Sequence, residues 1–196
     1  MIPKLRVSRL VLVPATVATV VGVLLLISGI WLRPIAAAEQ AMAAGDLDRA
    51  LQQYTTGRGR LQWIPVLGTL FPGLNELVTG NALSLQYALR RYDRVIEATS
   101  GGTGSAATSF WAGCALFDKA LVEVEPEKRV EMMSRAHDAF RRTLELAPDD
   151  WDAKFNYELS GRLSNILREQ PRLSAQEMIR ILRDRGPKDS AGRRTG

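Results

Sequence analysis

From residue 35 onward, apolar residues return at three- and four-residue spacing, which predicts a succession of amphipathic helices and no strand. Leu85, Ala88, Leu89, Tyr92, Val95, Ile96 and Thr99 form one face of a helix expected over 82–99. Phe110, Cys114, Phe117 and Leu121 make the next stripe, and the run Glu123-Val124-Glu125-Pro126-Glu127 ends that helix and opens another. The facing stripe comprises Met133, Ala136, Phe140, Thr143, Leu144 and Ala147, and Pro148 stops it because proline lacks an N–H and clashes with the preceding turn. Asp149 and Asp150 then cap a helix that starts at Trp151 and carries Phe155, Leu159, Leu163, Ile166 and Leu167 on its apolar side. Pro171 closes that helix. Ser174-Ala175-Gln176-Glu177 reads as a capping box for a last helix, with Ala175, Met178, Ile179 and Leu182 inward. The polar, basic stretch 186–196 lacks apolar positions and is expected to be disordered.

The opening of the chain is patterned differently. Leu10 to Leu32 carries no charge and is bracketed by Arg9 and Arg33. A bilayer core takes about 20 helical residues to cross, so 10–32 is expected to span it. Pro14 falls in the first turns, and Trp31 stands where an interfacial aromatic belongs. Lys4, Arg6 and Arg9 precede the run, whereas Glu39, Asp46 and Asp48 follow it. By the positive-inside rule, 1–9 lies in the cytoplasm and everything after residue 33 outside. The expected organisation is a cytoplasmic terminus (1–9), a transmembrane helix (10–32), a helical domain (35–185) and a tail (186–196). In a bacterium this is a single-pass inner-membrane protein with a periplasmic domain. The rival reading is a cleaved signal peptide with Ala36-Ala37-Ala38 as the cleavage site, but its apolar region would be only about 7–15 residues.

Two stretches interrupt the helical pattern. Gly57, Gly59, Pro65, Gly68, Pro72 and Gly73 break it over 57–74, yet Leu61, Trp63, Ile64, Val66, Leu67, Leu70 and Phe71 make that stretch apolar. It is too short to span a bilayer. It is either a buried connection or a surface that docks membrane or partner, since exposed apolar patches mark interaction sites. Ser100-Gly101-Gly102-Thr103-Gly104-Ser105 reads as a linker: the Gly-Lys-Ser/Thr ending of a phosphate loop is absent.

Charge and reactive residues narrow the function. Of the net charge of +5, Lys4, Arg6, Arg9 and Arg33 supply four, leaving 22 basic against 21 acidic side chains. A nucleic-acid surface is therefore not supported. Cys114 is the only cysteine and His137 the only histidine, so neither a disulfide nor a zinc site has material. Cys114 reads as a small core residue. Asp149, Asp150 and Asp152 lack the central glycine and distant glutamate of a calcium loop and suit a helix start instead. No nucleophile stands beside a base and no cofactor fingerprint occurs, so the chain is read as a non-enzyme without cofactors.

The stretch from Ala136 through Phe140 and Pro148 to Trp151 resembles the second half of a tetratricopeptide (TPR) unit, with its alanine-x3-phenylalanine…proline pattern. Gly45-Asp46-Leu47-Asp48-Arg49-Ala50-Leu51 resembles the turn between the two helices of such a repeat: Gly45 supplies positive φ, Asp46 caps, and Ala50 packs. Gly80-Asn81-Ala82-Leu83 and Arg91-Tyr92-Asp93-Arg94-Val95-Ile96 resemble a degenerate unit without its turn glycine. Trp111 and Gly113 resemble the aromatic and glycine of a first helix, and 151–159 restarts the motif. The resemblance spans about 35–167 and is closest over 110–159. Together with the transmembrane helix expected over 10–32, it implies an all-α chain in which that helix is followed by a TPR-like solenoid of antiparallel helix pairs, whose concave groove binds protein. Asn81, Trp111, Lys154, Asn156 and Arg162 are the groove-facing candidates, with capping or solvation of the helices as the alternative. Asn156 stands where peptide-gripping TPR proteins often carry an asparagine.

The anchor, the degenerate repeats and the segment Asp149-Asp150-Trp151-Asp152-Ala153-Lys154-Phe155-Asn156-Tyr157-Glu158 resemble the MxaK family. Those are small membrane-anchored periplasmic proteins encoded with methanol dehydrogenase maturation factors, alongside MoxR-type ATPases and von Willebrand A-domain proteins. The resemblance implies an assembly or maturation factor for a periplasmic dehydrogenase, with protein partners in the periplasm or inner membrane and no small-molecule substrate. An adaptor for another envelope complex (a MoxR/A-domain chaperone, division or secretion) and a periplasmic metal-delivery protein are the alternatives.

Overall fold

A computed structural model of the chain describes residues 9–63, 72–99, 104–170 and 172–184. Among them every regular element is helical: α1 (Arg9–Ala43), α2 (Leu47–Trp63), α3 (Pro72–Ala88), α4 (Tyr92–Thr99), α5 (Ala106–Val122), α6 (Pro126–Leu146), α7 (Trp151–Glu169) and α8 (Ala175–Asp184). The protein is all-α. The chain divides into two compact units, Met1–Val78 and Thr79–Gly196, with the boundary inside α3.

In the first unit α2 packs antiparallel along α1, as three contacts show. Tyr54 donates its hydroxyl to Glu39, Gly57 lies against Ile35 and Pro34, and the Arg60 guanidinium donates to the Ile30 carbonyl at 3.2 Å. The last contact has a covalent reason. In a helix the Ile30 carbonyl would accept from the N–H of residue 34, which is proline and has none; Arg60 supplies the missing donor. Ala38 and Ala41 of α1 and Ala50, Leu51 and Tyr54 of α2 are buried. The pattern break expected from residue 57 does not occur there, because α2 runs through Gly57 and Gly59 to Trp63. Gly57 is a packing residue: a Cβ would come within 3.0 Å of the Ile35 side chain. The stretch 64–71 lies outside the described residues, as do 1–8, the linker 100–103 and the tail from 185. Most side chains of 10–32 are also outside the described set. Among the described residues no helix is long and apolar enough to cross a membrane.

The single helix expected over 82–99 is two. α3 ends at Ala88 and α4 begins at Tyr92, with Arg90 at φ 56° between them. The turn is the same as the one at Gly45 (φ 77°). Around the glycine, Gly45 N–H donates to the Met42 carbonyl and Asp46 N–H to the Ala41 carbonyl, both at 2.9 Å. Around the arginine, Arg90 N–H donates to Tyr87 and Arg91 N–H to Gln86, both at 2.8 Å. Both are Schellman ends, which need a left-handed residue after the helix. Asp46 caps α2 through the Arg49 N–H at 3.0 Å, as expected from the sequence.

The second unit is a chain of neighbours: α4 packs on α5, α5 on α6 and α6 on α7. Three buried clusters follow one another along it. Leu83, Val95 and Ala115 join α3, α4 and α5. Leu116, Ala136 and Phe140 join α5 and α6. Ala120, Met133, Leu163, Leu167 and Met178 join α5 through α8. The close approach of α5 to α6 is set by Gly113, onto which the Phe140 ring is laid; a Cβ there would lie 2.7 Å from Phe140 Cε1. Ala136 and Phe140 are fully buried. The expected capping box at Ser174 is present, with Ser174 N–H donating to Glu177 at 2.8 Å and Glu177 N–H to the Ser174 hydroxyl at 3.2 Å.

Arg129, buried near the start of α6, ties two loops together. Its guanidinium donates to the Glu123 carbonyl before α6, with Nε at 2.9 Å, and to the Leu173 carbonyl before α8. Nothing in the hydrophobic pattern marks it.

Candidate functional site

An exposed aromatic surface of the second unit lies at the start of α7. Asp150 is its N-cap, with extended backbone and Oδ1 accepting from Ala153 N–H at 2.9 Å. This fixes the first turn, so Trp151 and Phe155, four residues apart, share one side of the helix. Both face solvent, at 78% and 66% exposure, and Leu146 at the end of α6 is 58% exposed. The Lys154 ammonium stands 4.7 Å from the centre of the Trp151 ring, a cation–π contact that keeps the indole in place while leaving it open. Glu158 and Arg162 continue this face with an ion pair at 3.7 Å between two exposed side chains, an interaction that contributes little stability.

The inward side of α7 carries Ala153, Ser160, Leu163, Ser164 and Leu167. Phe155, expected inward with Leu159 and Leu163, is outward. Leu163 and Leu167 hold the cluster with α5, α6 and α8, whereas Phe155 lies outside it. Beneath the exposed face, His137 of α6 wedges into α7. Its ring stacks on Tyr157 with centroids 4.2 Å apart, and Nδ1 lies 3.1 Å from the Tyr157 carbonyl. A Cβ on Gly161 would meet the imidazole at 2.9 Å, so that glycine makes room for it. His137 therefore sets where α7 sits.

The groove candidates separate. Lys154, Asn156 and Arg162 are all on α7, with Asn156 half-buried at the edge of the packed face. Trp111 on α5 is half-buried against Tyr87 (5.3 Å) and Phe110 (5.3 Å), within the cluster of Leu83, Val95 and Ala115. Asn81 on α3 is half-buried, and its carbonyl accepts from the Ser84 hydroxyl. The residues the sequence did not single out are Trp151 and Phe155. Their signal is two large aromatics one turn apart directly after a capping aspartate.

Asp118 of α5 is a polar knot between three helices. The Tyr87 hydroxyl donates to it at 2.7 Å and the Tyr92 hydroxyl at 3.1 Å, and Lys119 pairs with Asp93 beside it. Burial, then the Asp118 carboxylate, raises the pKa of both tyrosines. The same two causes push the Cys114 thiol from 9.0 up to about 12, so it is a neutral packing group. A cavity of about 450 Å³ opens between α4, α5 and α6, lined by Ile96, Ala112 and Leu116 together with the charged Arg135, Asp138 and Arg142. Among the described residues no group of three or more His, Cys, Asp or Glu side chains is placed to hold a metal ion.

Comparison with protein-family models, with curated proteins and with solved structures finds no match. The class that stands is an all-α protein built from sequentially packed helices.

Proposed function

We propose that the chain is a membrane-tethered, TPR-like scaffold that docks a protein partner on the exposed face of α7. The observation that carries this reading is the exposure of Trp151 and Phe155. Two such aromatics present about 250–300 Å² of apolar surface, worth roughly 6–7 kcal/mol on burial before association costs are met. Aromatic anchors with a charged surround (here Lys154, Glu158 and Arg162) are the usual make-up of a binding hot spot. The TPR-like reading draws on the Phe140–Gly113 contact, buried Ala136 and the Pro148 turn. The tether draws on the uncharged run Leu10–Leu32 within continuous helix α1, bracketed by Arg9 and Arg33.

The partner class follows from the resemblance to the MxaK family: a periplasmic dehydrogenase under assembly, at the outer face of a bacterial inner membrane. Affinity purification from membranes, with mass spectrometry, tests both levels. Recovery of a dehydrogenase subunit with the natural chain, lost with Trp151→Ala/Phe155→Ala, supports the proposal. Equal recovery with the double variant overturns α7 as the docking face. Recovery of a division, secretion or A-domain complex without a dehydrogenase moves the protein to another envelope system.

A further inference from the structure

The end of α2 is placed for a second contact with the membrane. The register of the α1–α2 pair is fixed by three points: Tyr54 beside Glu39, Gly57 beside Pro34 and Ile35, and Arg60 at the Ile30 carbonyl. Each step along α2 moves the contact back along α1. At 1.5 Å per residue, Trp63 lies about 4.5 Å beyond Arg60, level with roughly residues 27–28 of α1. The uncharged run of α1 ends at Leu32, so α2 descends about 7 Å below that edge. An interfacial helix buries its apolar face to about 5–10 Å, the same depth.

The side chains suit that position. Tyr54, Gly57 and Leu61 are buried, whereas Trp63 is 85% exposed. Ile30 and Leu32 of α1, on the same stretch, are also exposed. An indole at the headgroup boundary with arginines just above it is the arrangement found at membrane interfaces, where long basic side chains reach back to water. Arg58 occupies such a place, whereas the Arg60 guanidinium is held at the Ile30 carbonyl. The Arg60 bond has a further consequence. Pro34 leaves the Ile30 carbonyl without its helical donor, and near hydrocarbon there is little water to replace it. A donor from α2 is what such a site requires.

We infer that the C-terminal turn of α2, through Trp63 with Arg58 and Arg60, seats in the headgroup layer of the same bilayer that α1 enters. The inference rests on the tether proposed above. It gives the hairpin two points of attachment, one spanning and one interfacial, which fixes the orientation of α2 against the membrane plane.

The test uses the full chain in vesicles of phosphatidylethanolamine and phosphatidylglycerol, with and without acyl chains brominated near the headgroup. A Trp31→Phe chain is compared with Trp31→Phe/Trp63→Phe. Both are expected to float with the vesicles. Brominated lipid is expected to quench part of the Trp31→Phe emission, and that quenched part is expected to vanish with Trp63→Phe. Flotation with quenching unchanged by Trp63→Phe overturns the interfacial seat of α2 while leaving the tether standing. Failure of both chains to float overturns the tether and this inference with it.

Discussion

Replacing Gly113 by alanine tests the packing on which the helical stack depends. Within a helix, glycine to alanine ordinarily stabilises by about 0.5–1 kcal/mol, through lower backbone entropy in the unfolded chain. At Gly113 the added Cβ would sit 2.7, 2.9 and 2.9 Å from Cε1, Cδ1 and Cζ of Phe140. Carbon pairs are comfortable at about 3.5–4.0 Å, so the ring must retreat by close to 1 Å. It has nowhere to go: Phe140 is fully buried and sits edge-on to Phe110 at 6.0 Å. Overpacking of that kind costs about 1–3 kcal/mol, and after the propensity gain a net loss of up to about 2.5 kcal/mol remains. Gly59 of α2 provides the contrast, since its Cβ would meet nothing within 4 Å. Denaturant unfolding followed by far-ultraviolet circular dichroism should show Gly113→Ala with a lower midpoint and Gly59→Ala with an equal or higher one. Phe140→Leu, introduced into Gly113→Ala, should recover part of the loss as a coupling between the two sites. A stabilised Gly113→Ala chain would refute the close α5–α6 contact.

Other perturbations follow from single contacts. Arg90→Gly relieves a left-handed arginine and should raise stability by about 1 kcal/mol, whereas Gly45→Ala at the equivalent turn should lower it by a similar amount; both are read from denaturation midpoints. Arg129→Met removes the guanidinium that serves the Glu123 and Leu173 carbonyls and should cost about 2–4 kcal/mol in the same assay. Stability should also fall in alkali. The folded state holds the Cys114 proton up to about pH 12 while the unfolded thiol loses it from about pH 9, so the contribution is full below pH 9 and lost as pH rises through that window. Tyr87 and Tyr92 add to the loss above pH 10. Cys114→Ala should remove the part that begins near pH 9 and leave the tyrosine part, as measured by midpoints across that range.

Much of the fold was legible because stops and caps are local chemistry. Gly45, Asp46, Pro126, Asp150 and the Ser174–Glu177 pair each ended or began a helix where expected. Ala136 and Phe140 were legible because a small residue and an aromatic at that spacing serve one purpose, tight packing of a helix pair. The turn at Arg90 was not legible, since its left-handed residue is an arginine and apolar spacing runs straight across it. The extension of α2 through Gly57 was hidden for the opposite reason: glycine there signals closeness to Ile35 and not a break. Apolar spacing also put Phe155 inward with Leu159. Periodicity shows which residues share a side of a helix, but not whether a neighbour covers every part of that side. For that reason the exposed pair Trp151 and Phe155, the centre of the candidate site, emerged only from the packing. The Arg60–Ile30 bond was equally hidden, as it joins a proline's missing donor to a residue far along the chain.

In the proposed function α7 presents its aromatic face to a protein partner. Site-specific photo-crosslinking in intact membranes tests it most directly, with the crosslinker placed at Phe155 and, as a control, at Glu97 on the exposed side of α4. A discrete crosslinked partner is expected from position 155, diminished by Trp151→Ala, with none of that species from position 97. An identical pattern from the two positions, or no adduct at 155 in membranes where affinity purification recovers a partner, would contradict it.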